Sequence, residues 1–253
     1  MADRLVDIQD RVRSGSAALN AVYRELPIEG RDEVIQVTEI GKPPTAERRT
    51  MLIAGIHGGE PAGAEALTRF IEDGGWRNFP RIRFTIFPCL NPVGYAARTR
   101  ENGVGMDINR SFRGHGTAES RAVRADLEGS RFDCFYDMHE DIDQTRFYMY
   151  EAPGERDWAP EIVKAVAESG PILLNGSPDP AFPYEVKDGL MQLPDDVEKM
   201  FEDTEEWPFA MYLRSECKTR GLGAETPGKL QKEQRVEMHL AGLNRLLELL
   251  SDL

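Results

Sequence analysis

Cysteine, histidine and long apolar runs are scarce in this chain. Its three cysteines, Cys89, Cys134 and Cys217, are odd in number and far apart, which excludes a disulfide framework and a cysteine metal knuckle. No run of about 18 apolar residues occurs, so no membrane-spanning helix is expected, and the N-terminus lacks the apolar core of a signal peptide. These absences predict a cytoplasmic protein with no membrane partner.

Positive charge is also in short supply. The 253 residues include 31 Lys and Arg against 44 Asp and Glu, which gives a formal net charge of −13 at pH 7. No basic surplus is available to neutralise phosphates, which argues against a nucleic-acid partner. The apolar fraction of 40% and the charged fraction of 30% instead predict a folded globular chain.

Short apolar stretches alternate with amphipathic ones, without repeats or long linkers. Buried strands are predicted at residues 51–56, 82–88, 132–138 and 221–226, and helices at 60–72, 119–127, 158–168 and 231–250. The first 26 residues predict one amphipathic helix, whereas 171–207 has no clear pattern. The alternation predicts an α/β fold in a single domain over residues 1–253, with helices on both faces of the sheet. Ligands of such sheets bind beyond the carboxyl ends of the strands.

The chain has only four histidines, and two of them directly follow predicted buried strands. His57 is one of these, and two glycines that permit a tight turn separate it from Glu60. His139 is the other. Two imidazoles and a carboxylate that meet at one edge of a sheet would form the His2Glu set of a catalytic zinc site with an open fourth position. The alternative is that each histidine merely ends a strand and bonds locally.

Other charged residues could complete such a site. Glu225 ends a predicted strand, where burial would raise its pKa and a nearby metal would lower it, a balance that suits proton transfer. Arg100 and Arg110, with Asn109, can form a fork for a carboxylate. The alternatives are a capping or surface glutamate and a solvated charged loop.

Other catalytic signatures are incomplete or absent. Glu140 follows His139, but no second histidine comes at the spacing of the His-Glu-x-x-His zinc motif, so Glu140 is predicted to be a flanking acid rather than a base. No Gly-x-Ser-x-Gly elbow occurs, which argues against a serine hydrolase of that kind. Cys134 lies in an apolar stretch and is predicted to be a core residue rather than a nucleophile.

Taken in order, these residues resemble the zinc carboxypeptidase family. The matching motifs span residues 50–226 and are His57-x-x-Glu60, Asn91-Pro92-x-Gly94, Arg100, Asp107-x-Asn109-Arg110, His139 and Glu225. The resemblance implies a three-layer α/β/α sandwich with a mixed, mostly parallel central sheet. The short chain is similar to small bacterial members of the family, or to the related deacylases of the succinylglutamate desuccinylase and aspartoacylase type.

The resemblance implies a metal centre with one supporting acid. His57, Glu60 and His139 would ligate a zinc ion. Asp107 would hold the free ring nitrogen of His57.

The resemblance also implies the catalytic and docking residues. Glu225 would act as the general base towards a zinc-activated water and would then protonate the leaving amine. Arg100 would stabilise the oxyanion together with the metal. Asn109 and Arg110 would dock a terminal carboxylate of the substrate.

Two features depart from the family's pattern. The tyrosine that family peptidases commonly carry roughly twenty residues before the catalytic glutamate is missing; Tyr184 and Tyr212 are the nearest, and neither matches by motif. This difference affects specificity rather than hydrolysis. The deacylases usually add a β-rich domain after the catalytic glutamate, whereas this chain ends with a predicted helix, which favours the peptidase or amidase side.

The expected function is zinc-dependent hydrolysis of an amide bond next to a free carboxylate, on a peptide or acyl-amino-acid substrate. One alternative is a deacylase of N-acyl amino acids, which would share the metal and Glu225. Another is a non-catalytic module that binds a metal or ligand on the same scaffold.

Overall fold

Strands and helices alternate through most of the structure. The computed structural model describes residues 2–41, 47–154, 157–178 and 184–253. In these ranges the helices are α1 Ala2–Ala18, α2 Pro61–Glu72, α3 Pro92–Ala97, α4 Ala118–Asp126, α5 Ala159–Val166, α6 Phe209–Ser215 and α7 Lys232–Ser251. The strands are β1 Val22–Pro27, β2 Val34–Ile40, β3 Arg48–Ala54, β4 Ile82–Phe87, β5 Cys134–Asp141, β6 Tyr148–Glu151, β7 Asn175–Gly176, β8 Val186–Lys187, β9 Leu190–Gln192 and β10 Arg220–Pro227. Short 3₁₀ helices cover Gly75–Asn78, Ile108–Arg110 and Val197–Phe201.

Four parallel strands form the middle of one mixed sheet. The strand order among the described residues is β1-β2-β4-β3-β5-β10-β6-β9-β8-β7. The neighbours β4, β3, β5 and β10 run parallel to one another. The pairs β1–β2, β2–β4 and β10–β6 are antiparallel. The prediction of a mixed sheet flanked by helices is confirmed, and the parallel pairs lie mainly at its centre.

Strand alternation sends side chains into two apolar layers. On β3, Leu52 and Ala54 pack with α1, α2, α5 and α7, whereas Met51 and Ile53 pack with α4 and α6 on the other face. Both faces of the central strands are therefore covered, which explains their continuous apolar composition. No helix in the part of the chain that the structure describes is long and apolar enough to cross a membrane.

The prediction of one helix over the first 26 residues is wrong. The helix α1 ends at Ala18, and the chain turns at Asn20, which has a left-handed φ of 52°. Residues Val22–Pro27 then form β1, which pairs with β2. The unassigned stretch 171–207 supplies the short edge strands β7, β8 and β9 and a 3₁₀ helix.

The pair Asn91-Pro92 begins a helix. The Asn91 side chain accepts a hydrogen bond from the Gly94 amide at 2.8 Å. Pro92 takes the first position of α3, where its missing N–H leaves no hydrogen bond unmade. Because this helix crosses close to the loop after β3, a Cβ at Gly58 would lie 1.9 Å from the Gly94 carbonyl carbon. Glycine is thus required at position 58 by the close approach of two backbones.

Candidate active site

Two histidines and a glutamate from distant parts of the chain meet at the carboxyl ends of β3 and β5. His57 Nδ1 lies 2.7 Å from Glu60 Oε1, and His139 Nδ1 lies 3.0 Å from Glu60 Oε2. One ligand atom from each of the three residues lies within 4.8 Å of the others, and all three residues are buried. The structure therefore brings together the three residues for which the sequence predicts metal ligation.

The second ring nitrogen of each histidine faces an aspartate. His57 Nε2 lies 3.3 Å from Asp107 Oδ1, and His139 Nε2 lies 3.1 Å from Asp137 Oδ2. Such contacts fix the ring orientation and leave Nδ1 of each imidazole for a metal. Asp107 lies where the sequence predicts it, whereas sequence reasoning missed Asp137. Its signal was available, because residues two apart on a strand share a face.

The charges of the triad favour a bound cation. Burial alone would raise the pKa of Glu60, but the two imidazoles lower it to about 2. Burial opposes protonation of His139, yet Asp137 and Glu60 hold its pKa well above the ordinary value. The carboxylates of Asp137 and Glu60 therefore stabilise a positive charge at this site, here that of the protonated His139 ring. Two imidazole nitrogens and a carboxylate, each supported from behind, are a donor set that suits zinc.

Arg100 lies beside the triad and is partly neutralised by Asp107. Its Nε donates to Asp107 Oδ2 at 3.0 Å, and its Nη1 lies 3.6 Å from Glu60 Oε1. Burial would raise the pKa of Asp107, but His57, Arg100 and Arg110 lower it below the ordinary value. Asp107 thus contacts both a predicted metal ligand and a predicted oxyanion-stabilising residue.

Asn109 and Arg110 lie on the 3₁₀ helix Ile108–Arg110 and line a cavity that also contains the triad. Asn109 is buried, and its Oδ1 accepts a hydrogen bond from the Phe209 amide at 3.1 Å, which ties this helix to the start of α6. Arg110 makes a loose contact of 3.5 Å with the exposed Glu206. Its guanidinium can therefore turn to a ligand at little cost.

Glu225 lies beside His139, on the neighbouring strand β10. The parallel register of β5 and β10 pairs the two residues directly, and the antiparallel register of β10 and β6 pairs Glu225 with Tyr148. Burial is the main cause that raises the pKa of Glu225 to about 8; Glu60, Asp141 and Asp137 raise it further, and His139 opposes them. A divalent cation in the triad would lower it again.

A cavity of about 640 Å³ joins these residues. Members of the predicted set that line it are His57, Glu60, Arg100, Asn109, Arg110, His139 and Glu225. Tyr148, which the sequence did not single out, also lines it and donates to Asp141 Oδ2 at 3.0 Å. Tyr212 is not among the described residues that line the cavity, and its ring instead packs on Phe112.

Glu140 is buried next to the triad. Its side chain accepts from the Ala62 amide and pairs with Arg235 of α7, and its own amide donates to Glu60 Oε2 at 3.1 Å. These contacts are compatible with the predicted flanking acid.

Solved structures share this fold over nearly the whole chain. A candidate metallopeptidase from Shewanella amazonensis SB2B is 24% identical, with a TM-score of 0.80 over 96% of this chain and 92% of that one. A metallo-carboxypeptidase from Pseudomonas aeruginosa, solved with (2-guanidinoethylmercapto)succinic acid, is 14% identical, with a TM-score of 0.70 over 96% and 68%. A succinylglutamate desuccinylase/aspartoacylase from Rhodobacter sphaeroides is 19% identical, with a TM-score of 0.57 over 90% and 63%.

Sequence comparison adds a family. No curated protein matches the chain. The sequence model of the succinylglutamate desuccinylase/aspartoacylase catalytic domain matches residues 46–182, more than half of the chain, including the triad. The chain therefore belongs to the succinylglutamate desuccinylase/aspartoacylase catalytic domain family.

Proposed function

We propose that this chain is a zinc-dependent hydrolase that cleaves an amide bond next to a free carboxylate, as a metallocarboxypeptidase or peptide amidase in a single catalytic domain. The observation that carries the proposal is the meeting of His57, Glu60 and His139 beside Glu225 in one cavity. A module that only binds a ligand would not need a carboxylate with a raised pKa beside a metal triad.

The triad would hold the metal, and the chain's own residues would do the rest. A divalent ion bound by the triad would acidify a water molecule and polarise the scissile carbonyl. Asp107 and Asp137 keep the two imidazoles oriented. Arg100 is placed to stabilise negative charge that develops on the carbonyl oxygen.

Glu225 would carry the proton. It accepts a proton from the attacking water as the oxygen bonds to the carbonyl carbon. It then returns this proton to the nitrogen as the C–N bond breaks, so a carboxylic acid and an amine leave. Its position on β10 beside His139 supports this role, because the base must lie within reach of the attacking water.

Arg110 and Asn109 would dock the substrate's carboxylate. Arg110→Ala should raise KM roughly 10- to 100-fold with a smaller effect on kcat, since a charged hydrogen bond to the ground state is lost. Steady-state kinetics at low and high salt check this, because added salt should not reproduce the loss.

Arg98→Ala is the matched control, since Arg98 is an exposed arginine that lines the same cavity. A KM for Arg110→Ala equal to that of the unchanged protein, or a rise shared equally by Arg98→Ala, would exclude docking by Arg110.

The family match favours a second candidate, a deacylase that cleaves small N-acyl amino acids. Both reactions use the same triad and Glu225, so substrate choice separates them. Blocking the C-terminal carboxylate should abolish hydrolysis of peptides by a carboxypeptidase. For a deacylase, the size and charge of the acyl group should dominate kcat/KM.

The test of the proposal combines metal analysis with a hydrolysis panel. The panel pairs free and amidated peptides, includes peptides with γ-linked glutamate, and adds N-acyl amino acids with acetyl and succinyl groups. We expect about one zinc per chain and hydrolysis only of substrates with a free carboxylate. A protein that binds zinc but hydrolyses nothing on this panel would instead be a binding module.

A further inference from the structure

The metal-ligating role of Glu60 leaves the start of α2 without its own cap. Glu60 occupies the N-cap position of this helix but makes no capping hydrogen bond with its side chain. Its two carboxylate oxygens face His57 and His139 instead. The first N–H groups of a helix have no partner within it and need an acceptor from elsewhere.

Glu140 supplies that acceptor from the neighbouring strand. Successive side chains of a strand point to opposite faces, so the Glu140 carboxylate reaches α2 and α7 while the His139 ring reaches Glu60. One Glu140 oxygen accepts the Ala62 amide in the first turn of α2. The other pairs with Arg235 of α7, whose side chain is only 14% exposed.

The Glu140 backbone contacts the ligand itself. Its amide donates to Glu60 Oε2 at 3.1 Å, the oxygen that faces His139. Glu140 thus holds Glu60 twice, through this hydrogen bond and through the Ala62 amide two residues further along the chain. Arg235 balances the buried charge, which would otherwise be costly.

We propose that Glu140, with Arg235, is a positioning pair that caps α2 in place of Glu60 and so leaves the Glu60 carboxylate free to bind a metal. This rests on the metal site of the proposed function. Glu140 itself is neither a ligand nor a base.

The chain contains a matched control for this arrangement. Glu151 on β6 is also fully buried, accepts from the Trp158 and Ala159 amides at the start of α5, and pairs with Arg220 at 2.7 Å. Glu151 makes none of the described contacts to the triad. Glu151→Ala therefore removes the same kind of cap and ion pair away from the metal site.

The test compares Glu140→Ala, Glu151→Ala and the double variant Glu140→Gln/Arg235→Met. The double variant keeps an acceptor for the Ala62 amide and removes both buried charges. Zinc binding is measured by competition with a chelator, and amide exchange of peptides covering residues 58–66 and 157–166 is measured on metal-free protein. Thermal unfolding identifies any variant that does not fold.

We expect Glu140→Ala to weaken zinc binding roughly 10- to 100-fold, as is typical for loss of an outer partner, and to speed exchange at 58–66. Glu151→Ala should speed exchange at 157–166 and leave zinc affinity within about threefold, because an independent site adds no coupling. The double variant should lose less zinc affinity than Glu140→Ala, about threefold at most, because it keeps an acceptor for the Ala62 amide and leaves no buried charge unpaired; a loss as large as that of Glu140→Ala would overturn the capping role.

Unchanged zinc affinity in folded Glu140→Ala, or equal losses in Glu140→Ala and Glu151→Ala, would overturn the positioning role. If the unchanged protein binds no zinc, the metal site of the proposed function fails. The exchange data then still decide whether Glu140 caps α2, and unaltered exchange at 58–66 would overturn that as well.

Discussion

Glu225→Gln should lower kcat by roughly 10²- to 10⁴-fold while zinc content stays at the level of the unchanged protein. Gln has nearly the same shape as Glu but cannot accept a proton from water at neutral pH. Glu225 is also outside the triad, so its loss removes no metal ligand. Turnover under saturating substrate and zinc content by elemental analysis are the two measurements.

Asp143→Asn is the control for the loss of one negative charge in the cavity. Asp143 lines the same cavity but is exposed, and its carboxylate makes only a loose 3.5 Å contact with Lys229. This variant should keep kcat within about threefold, as expected for a weak surface pair. Full activity in Glu225→Gln would remove Glu225 from the mechanism.

His57→Ala and His139→Ala should each weaken zinc binding by more than about 100-fold, since even an outer partner of a ligand contributes 10- to 100-fold. Each substitution removes one of three protein donors and leaves Glu60 facing a single imidazole. Zinc affinity measured against a competing chelator, with activity at matched zinc occupancy, checks both variants.

His115→Ala is the comparison for a lost imidazole, because His115 is exposed in the loop before α4. It should bind zinc as the unchanged protein does. Zinc affinity equal to that of the unchanged protein in either triad variant would refute that histidine as a ligand.

The sequence could predict the triad because each member has a local signal. His57 and Glu60 are close in the chain, and His139 follows a recognisable apolar stretch. Glu225 is harder, because 44 acidic residues compete with it, and only its place in the ordered set distinguishes it. Its pairing with His139 depends on the register of β5 and β10, which no short segment encodes.

The start of α3 was accessible from the sequence, because Asn followed by Pro is a known combination of N-cap and first helical residue. Other features were less accessible, for different physical reasons. Strands of two or three residues such as β7 and β9 have no measurable periodicity and form only through their neighbours. The role of Glu140 was hidden because its partners, Ala62 and Arg235, lie about 80 and 95 positions away in the chain.

The direct pairing of His139 with Glu225 limits how this chain can change in length. Neighbouring strands lie about 4.8 Å apart, and an insertion or deletion of one residue in β10 would turn every side chain after it to the opposite face. Glu225 would then point to the opposite face of the sheet, and Ala224 or Thr226 would face the cavity in its place. Diversification within this lineage is therefore expected in the short edge strands β7, β8 and β9, whereas β5 keeps a constant length up to His139 and β10 keeps a constant number of residues between Gly221 and Glu225.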